Sequence, residues 1–182
     1  MKLLIVYGST EGQTKKICEF LKVEAEKRGH QVAIEDSTEK PESPKAYNAV
    51  IIGASVHMGK YQSSIKHYVQ SHLAALGRIP TVFLSVSLTA VSDDAESWDE
   101  LEAVTDQFLD QTQWHPDYIE QVAGALRYTE YNWLKRFLMR MIAKNSGQDT
   151  DTTTDHEYTD WDQVRGIIDK LESEVEKLQD VT

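Results

Sequence analysis

The sequence predicts an α/β sandwich, a doubly wound, five-stranded parallel sheet with helices on both faces. Three observations carry that expectation. Short, nearly uninterrupted apolar runs recur along the chain, as strands buried on both faces require. Segments of helical periodicity stand between them, so strand and helix alternate five times. The 182 residues, 40% hydrophobic and 27% charged, suffice for one domain with a full core and are too apolar for a disordered chain.

The elements follow in order. Residues 2–7 (KLLIVY) form the first buried run. From Thr14 to Arg28 the apolar positions Ile17, Phe20, Leu21 and Val23 recur at helical spacing, and Gly29 is a stop. Residues 31–35 (QVAIE) alternate as a second strand, and Pro41 and Pro44 punctuate the loop beyond it. Residues 48–52 (NAVII) form a third strand that ends at Gly53. Ser63 to Leu76 is helical and closed by Gly77, and residues 80–86 (PTVFLSV) are a fourth strand. Trp98, Leu101, Val104, Phe108 and Leu109 place a helix over 95–112, and residues 118–125 (YIEQVAGA) supply the fifth strand. Trp161, Val164, Ile167, Ile168, Leu171, Val175 and Leu178 predict a last amphipathic helix over 160–178, capped by Thr159 or Asp160. The run QDTDTTTD at 148–155 reads as a polar loop, and 127–146 is surplus to the five-strand scheme.

Composition excludes some roles. A net charge of −11 has the wrong sign for general nucleic-acid binding. Cys18, the one cysteine, rules out an intrachain disulfide and fits a reducing compartment. It lies in a helical pattern near Ile17 and Leu21, where a small packed residue is expected rather than a nucleophile. The N-terminus lacks the apolar length and cleavage site of a signal peptide, and no run is long enough to span a bilayer. These features predict a cytoplasmic chain that could still sit on a membrane surface.

Chemistry concentrates after the first strand, in Gly8-Ser9-Thr10-Glu11-Gly12-Gln13-Thr14. Backbone N–H groups at a helix start are unpaired and carry positive partial charge, small residues let an anion approach, and hydroxyls add donors. Ser9, Thr10, Glu11, Gly12, Gln13 and Thr14 therefore form a candidate phosphate cradle, an ordinary helix cap being the alternative. The loop has neither the Lys of a nucleoside-triphosphate P-loop nor the Gly-x-Gly-x-x-Gly of a dinucleotide site. Its Ser-Thr-x-Gly-x-Thr pattern resembles the phosphate loop of flavodoxins, which implies FMN as cofactor and the strand order 2-1-3-4-5. In that order the loops after the third and fourth strands line the same crevice. The first offers Ala54, Ser55, Val56, His57, Met58, Gly59 and Tyr61; the second offers Ser85, Val86, Ser87, Leu88, Thr89 and Ala90. Both are small, hydroxylated or suited to a planar ring. The second has no aromatic residue, so a ring face stays open to a bulky substrate. His57 is the candidate catalytic group, with ring contact and plain solvent exposure as its other readings.

The C-terminal part is more particular. TQWHPD at 112–117, VAGALRYTEYNWLKRFLMRMIAKNSGQDTDTT at 122–153 and EYTDWDQV at 157–164 resemble the menaquinone-dependent protoporphyrinogen IX dehydrogenases, flavodoxin-like enzymes of haem synthesis. The resemblance runs over essentially the whole chain. It implies six-electron oxidation of protoporphyrinogen IX, with electrons passing through FMN to menaquinone or ubiquinone. On residues alone, an electron-transfer flavodoxin, an FMN-dependent quinone reductase and an interaction module remain alternatives. The surplus segment 127–146 is expected to be an inserted basic amphipathic helix in an otherwise single domain. It carries Arg127, Lys135, Arg136, Arg140 and Lys144 against Glu130, with Trp133, Leu134, Phe137, Leu138, Met141 and Ile142 as an apolar stripe. Three roles stay open for Arg127, Trp133, Lys135, Arg136 and Arg140. They could contact the cytoplasmic face of the inner membrane, pair with substrate propionates, or pack on the domain or on a second copy in a homo-oligomer.

Overall fold

The computed structural model describes residues 1–92, 94–126 and 156–180. The strands are β1 (Lys2–Gly8), β2 (Gln31–Asp36), β3 (Ala49–Ser55), β4 (Thr81–Ser87) and β5 (Tyr118–Ala123). The helices among the described residues are α1 (Gln13–Lys27), α2 (Ser63–Leu76), α3 (Ala95–Thr112) and α4 (Trp161–Asp180). All five strands are parallel, in the order β2-β1-β3-β4-β5. The predicted fold class and strand order are both present.

Topology places the helices. From β1 the chain crosses through α1 to one neighbour, β2; from β3 it crosses through α2 the other way, to β4. Crossovers keep one hand, so reversing direction moves the helix to the opposite face. The period of two along each strand then divides the core. Leu3, Ile5, Ile51, Val82 and Leu84 pack with Ile17 and Leu21 of α1 and Ile167, Ile168 and Leu171 of α4. Leu4, Val6, Val50, Ile52 and Phe83 pack with Ile65 and Val69 of α2, Phe108 of α3 and Trp114.

Two local expectations need correction, and one choice left open by the sequence is decided. The third strand does not stop at Gly53 but runs to Ser55. A Cβ at Gly53 would lie 2.8 Å from Cys18 Sγ and 3.3 Å from Thr14 Cγ2. This glycine lets α1 lie close on the sheet. The fifth strand ends at Ala123 rather than 125, because Gly124 turns the chain. Its N–H donates to Ser87 O (3.0 Å), its own carbonyl accepts from Tyr158 N–H (3.1 Å), and a short antiparallel pair follows, β6 (Ala125–Leu126) with β7 (His156–Glu157). The last helix is capped by Asp160, whose Oδ1 accepts from the N–H groups of Asp162 (2.9 Å) and Gln163 (3.1 Å).

The α1–β3 contact makes a measurable prediction. Gly53→Ala should cost about 1–3 kcal/mol by overpacking, and Cys18→Ala in the same chain should return much of that loss. A double-mutant cycle in urea measures the coupling; simple additivity would show that this contact does not limit the packing.

Candidate functional site

Strand order reverses between β1 and β3, and there the carboxyl ends of the strands open a crevice, as the general rule for open α/β sheets anticipates. Register brings the ends level, with Gly8 beside Ala54, Ser55 beside Val86, and Ser87 beside Ala123. The cavity there measures ≈ 190 Å³.

Its polar wall is the loop from Ser9 to Thr14. Gly12 occupies the N-cap of α1 at φ 90, a left-handed conformation that glycine adopts without strain. Its N–H donates to Ser9 Oγ (2.9 Å), and its carbonyl accepts from Lys16 N–H (3.0 Å) to close the first turn. No side chain caps that turn, so the N–H groups of Gln13, Thr14 and Lys15 lack intrahelical acceptors. Thr14 is buried beside them, and its Oγ1 has no hydrogen-bond partner among the described residues. An orphaned buried hydroxyl costs about 1–3 kcal/mol, which an anion at the helix start would offset. These donors fit a phosphate.

The charges nearby are turned elsewhere. Lys16 Nζ donates to Glu157 Oε2 (2.6 Å) and lies 5.4 Å from the centre of the Trp161 ring. Gln13 Nε2 donates to Glu157 Oε1 (3.0 Å) and to Thr159 Oγ1 (2.9 Å), while the Thr159 hydroxyl donates to Ala123 O (2.8 Å). Thr159 has one hydrogen and gives it to that carbonyl, so it must accept from Gln13. The Gln13 amide thus ties β7 to the loop, leaving its backbone N–H for a ligand. No Lys or Arg lines the crevice among the described residues; Glu11 is its one carboxylate there.

The opposite wall comes from the loop after β3. His57 and Lys60 exchange backbone hydrogen bonds (2.9 and 3.1 Å) across Met58 (φ 50) and Gly59 (φ 71), the left-handed pair of a type I′ turn. Met58 is 81% exposed at its tip. Ser55, Val56 and His57 precede it along the cavity, and Val86, Ser87, Leu88 and Thr89 line the third side. Ser87 Oγ accepts from Ala90 N–H (3.1 Å), starting the 3₁₀ turn Thr89–Val91.

Several predicted residues lie outside the cavity lining. Ala54 and Ser85 are fully buried in the strands, Gly12 shapes the loop from behind, and Ala90 sits in the 3₁₀ turn. Tyr61 turns away from the crevice. Its ring packs edge-on against Phe83 and Phe108, each 5.0 Å between centres, and its Oη bonds Ser85 Oγ (2.8 Å) and Thr105 Oγ1 (2.9 Å). The apolar ring is drawn into the core because these hydroxyls satisfy its polar end. Burial raises its pKa above the usual phenol value, although the hydrogen bonds with Ser85 and Thr105 oppose the shift. No aromatic side chain lines the cavity among the described residues. Arg127, Trp133, Lys135, Arg136 and Arg140, with the expected helix at 127–146, lie outside the described residues. Sequence reasoning missed Gly124 and Ala125, which close the fourth side; a glycine ending the strand beside Ser87 was the available signal.

An open parallel sheet with a hydroxyl-rich, uncapped helix start at its reversal point has the form of a nucleotide-phosphate site. Comparisons with known proteins narrow that class. A family model described as a flavodoxin domain matches residues 4–153. The chain is 36% identical over 173 residues to the protoporphyrinogen IX dehydrogenase (quinone) of Escherichia coli strain K12, covering 94% of each chain. It is 35% identical over 168 residues to the protein of the same name from Leishmania major, covering 90% of this chain and 71% of that one. Among solved structures, a short-chain flavodoxin associated with a PDU bacterial microcompartment superposes with a TM-score of 0.51 at 8% identity, over 80% of this chain and 99% of that one, a likeness of fold alone. The chain belongs to the flavodoxin-domain family and, within it, to the family of protoporphyrinogen IX dehydrogenases (quinone). Such a domain indicates a flavin cofactor, and the donors around Thr14 fit its phosphate.

The tie between β7 and the loop predicts a pH effect. Partial burial acts to raise the Glu157 pKa, but the hydrogen bonds from Lys16 and Gln13 outweigh it and hold the carboxyl below the usual range. A depressed carboxylate stabilises the fold above its unfolded pKa and loses that contribution as pH falls through its folded pKa. Glu157→Gln should therefore lower stability at neutral pH by less than about 1 kcal/mol, since the pair is largely solvated. The deficit should vanish in acid. Urea unfolding of both proteins from pH 7 to pH 3 checks this, and a deficit constant with pH would contradict it.

Proposed function

We propose that this chain oxidises protoporphyrinogen IX to protoporphyrin IX with FMN as cofactor and a quinone, menaquinone or ubiquinone, as acceptor. Six electrons and six protons leave the macrocycle, and three quinones become quinols. The observation that supports the reading most is 36% identity spread over 94% of both this chain and the Escherichia coli protein of that name. The crevice agrees with it in chemistry.

FMN, when bound, accepts electron pairs from the substrate and passes them to quinone. The chain's own residues bind, orient and exclude water. Ser9, Thr10, Thr14 and the first-turn N–H groups of α1 hold the phosphate. Val56, Met58, Val86, Leu88 and Ala125 supply the apolar surface, with the backbones of the loops after β3 and β4 available to the polar edge of the ring. With no described aromatic residue in the cavity, a flat macrocycle can stack on the ring. The His57 imidazole lies along the cavity and is the candidate to accept a proton from a pyrrole nitrogen. Catalysis then rests on positioning more than on a buried acid–base pair.

The reading extends to location. No helix among the described residues is long and apolar enough to cross a membrane. Segment 127–146 meets the cytoplasmic face of the inner membrane through Trp133 and its apolar stripe, with Arg127, Lys135, Arg136 and Arg140 toward anionic lipid. Its support is the sequence, a local excess of basic residues in a chain of −11. Quinone dissolves in that bilayer.

Two measurements test the function. Anaerobic mixing with protoporphyrinogen IX and a soluble menaquinone analogue should yield porphyrin fluorescence that requires both FMN and quinone; tight FMN binding without porphyrin would overturn the substrate. Thr14→Val should leave the ligand-free protein as stable or more so, because an unpartnered buried hydroxyl is removed. The same change should weaken FMN about tenfold or more while barely changing riboflavin affinity, read by flavin fluorescence titration.

A further inference from the structure

Gln62 stands at the N-cap of α2 but does not cap it. Its backbone is extended (φ −60, ψ 136), and no side-chain hydrogen bond closes that helix start. The amide instead reaches across the crevice loops. Its Nε2 donates to Ser55 Oγ (2.6 Å) and to Thr10 Oγ1 (3.1 Å), and its Oε1 accepts from Ser55 N–H (3.3 Å). The Ser55 N–H can only donate, so the orientation of the amide is fixed, with both hydrogens on the hydroxyls. A bare backbone makes the seat, since a Cβ at Gly8 would fall 3.0 Å from Gln62 Oε1 and 3.2 Å from its Cδ.

The consequence lies in the hydroxyls. Thr10 and Ser55 each accept from Gln62, and no other described group takes their own hydrogens. Those hydrogens are therefore available to donate into the crevice, one from the phosphate loop and one from the loop after β3. We propose that Gln62 is a positioning residue that polarises Thr10 and Ser55 as donors, and so selects a flavin carrying a phosphate over one that lacks it. This rests on the flavin reading of the crevice. Gln62 itself is outside the cavity lining and acts through the two hydroxyls.

A carboxylate at this position would reverse the polarity. In Gln62→Glu both oxygens accept, and the Thr10 and Ser55 hydrogens turn back toward them. FMN affinity should fall about tenfold or more, with riboflavin affinity changed less than about threefold. Gln62→Met keeps the volume without directing either hydroxyl, and should cost about three- to fivefold in FMN affinity alone. Added negative charge could weaken FMN by itself, so the decisive background is Thr10→Val/Ser55→Ala. There Gln62→Glu should change FMN affinity by less than about twofold, because its intermediaries are gone.

The readouts are fluorescence titrations with FMN and riboflavin, and the thermal midpoint of each ligand-free variant. An undiminished effect of Gln62→Glu in the double-substituted background would overturn the proposal in favour of charge repulsion. Equal losses of FMN and riboflavin, or wild-type FMN affinity in Gln62→Glu, would also overturn it. Failure of the unaltered chain to bind FMN would remove the flavin reading, and the proposal with it. Strong wild-type binding with insensitive Gln62 variants removes the proposal alone.

Discussion

The site depends on how closely α1 approaches the sheet at Gly53. Cys18 Sγ and the Thr14 methyl occupy the space that any larger residue would need. Interiors pack at crystal-like density, so this contact sets how near the helix start lies to β3. The loop before it has little freedom left once β1 and α1 are both seated. Thr14 is buried and its hydroxyl unsatisfied because of that seating. The apolar contact beneath the loop is thus the origin of the polar function above it. Burial also pushes the Cys18 thiol pKa well up, leaving it an inert packing group.

The second feature is the absence of cationic side chains from the described crevice. Lys16 is bound to Glu157 and rests near Trp161, and Lys15 points to Glu19 at 3.9 Å. In an acidic chain an anion would need compensation, and the crevice offers it as neutral N–H and O–H dipoles fixed in direction. Such donors cost little reorganisation when an anion arrives. Gln62 and Gln13 serve this arrangement from opposite sides, one joining the phosphate loop to the end of β3, the other joining it to β7.

The same bonds tie the chain beyond β5 to the crevice. Gly124 and Ala125 line the cavity, and β6 pairs with β7, whose Glu157 meets Gln13 and Lys16. Residues 126 and 156 are partners in that ladder.

Much of this was written in the chain itself. Uninterrupted apolar runs, helical periodicity and the Gly-Ser-Thr-x-Gly-x-Thr loop determined the layers, the order of elements and the edge of the crevice, because each depends on neighbours in sequence. Tyr61 shows the limit. Its proximity to the loop suggested a ring contact, yet Phe83, Phe108 and Thr105, distant in sequence, drew it into the core. Gly53 was read as the end of a strand, when the side chain it accommodates lies on α1. Gln62 and the partners of Gln13 carried no local signal at all. Their roles arise from distances between segments up to 146 residues apart, and only the folded chain sets which hydroxyl donates, which lysine is diverted and which buried oxygen is left to a ligand.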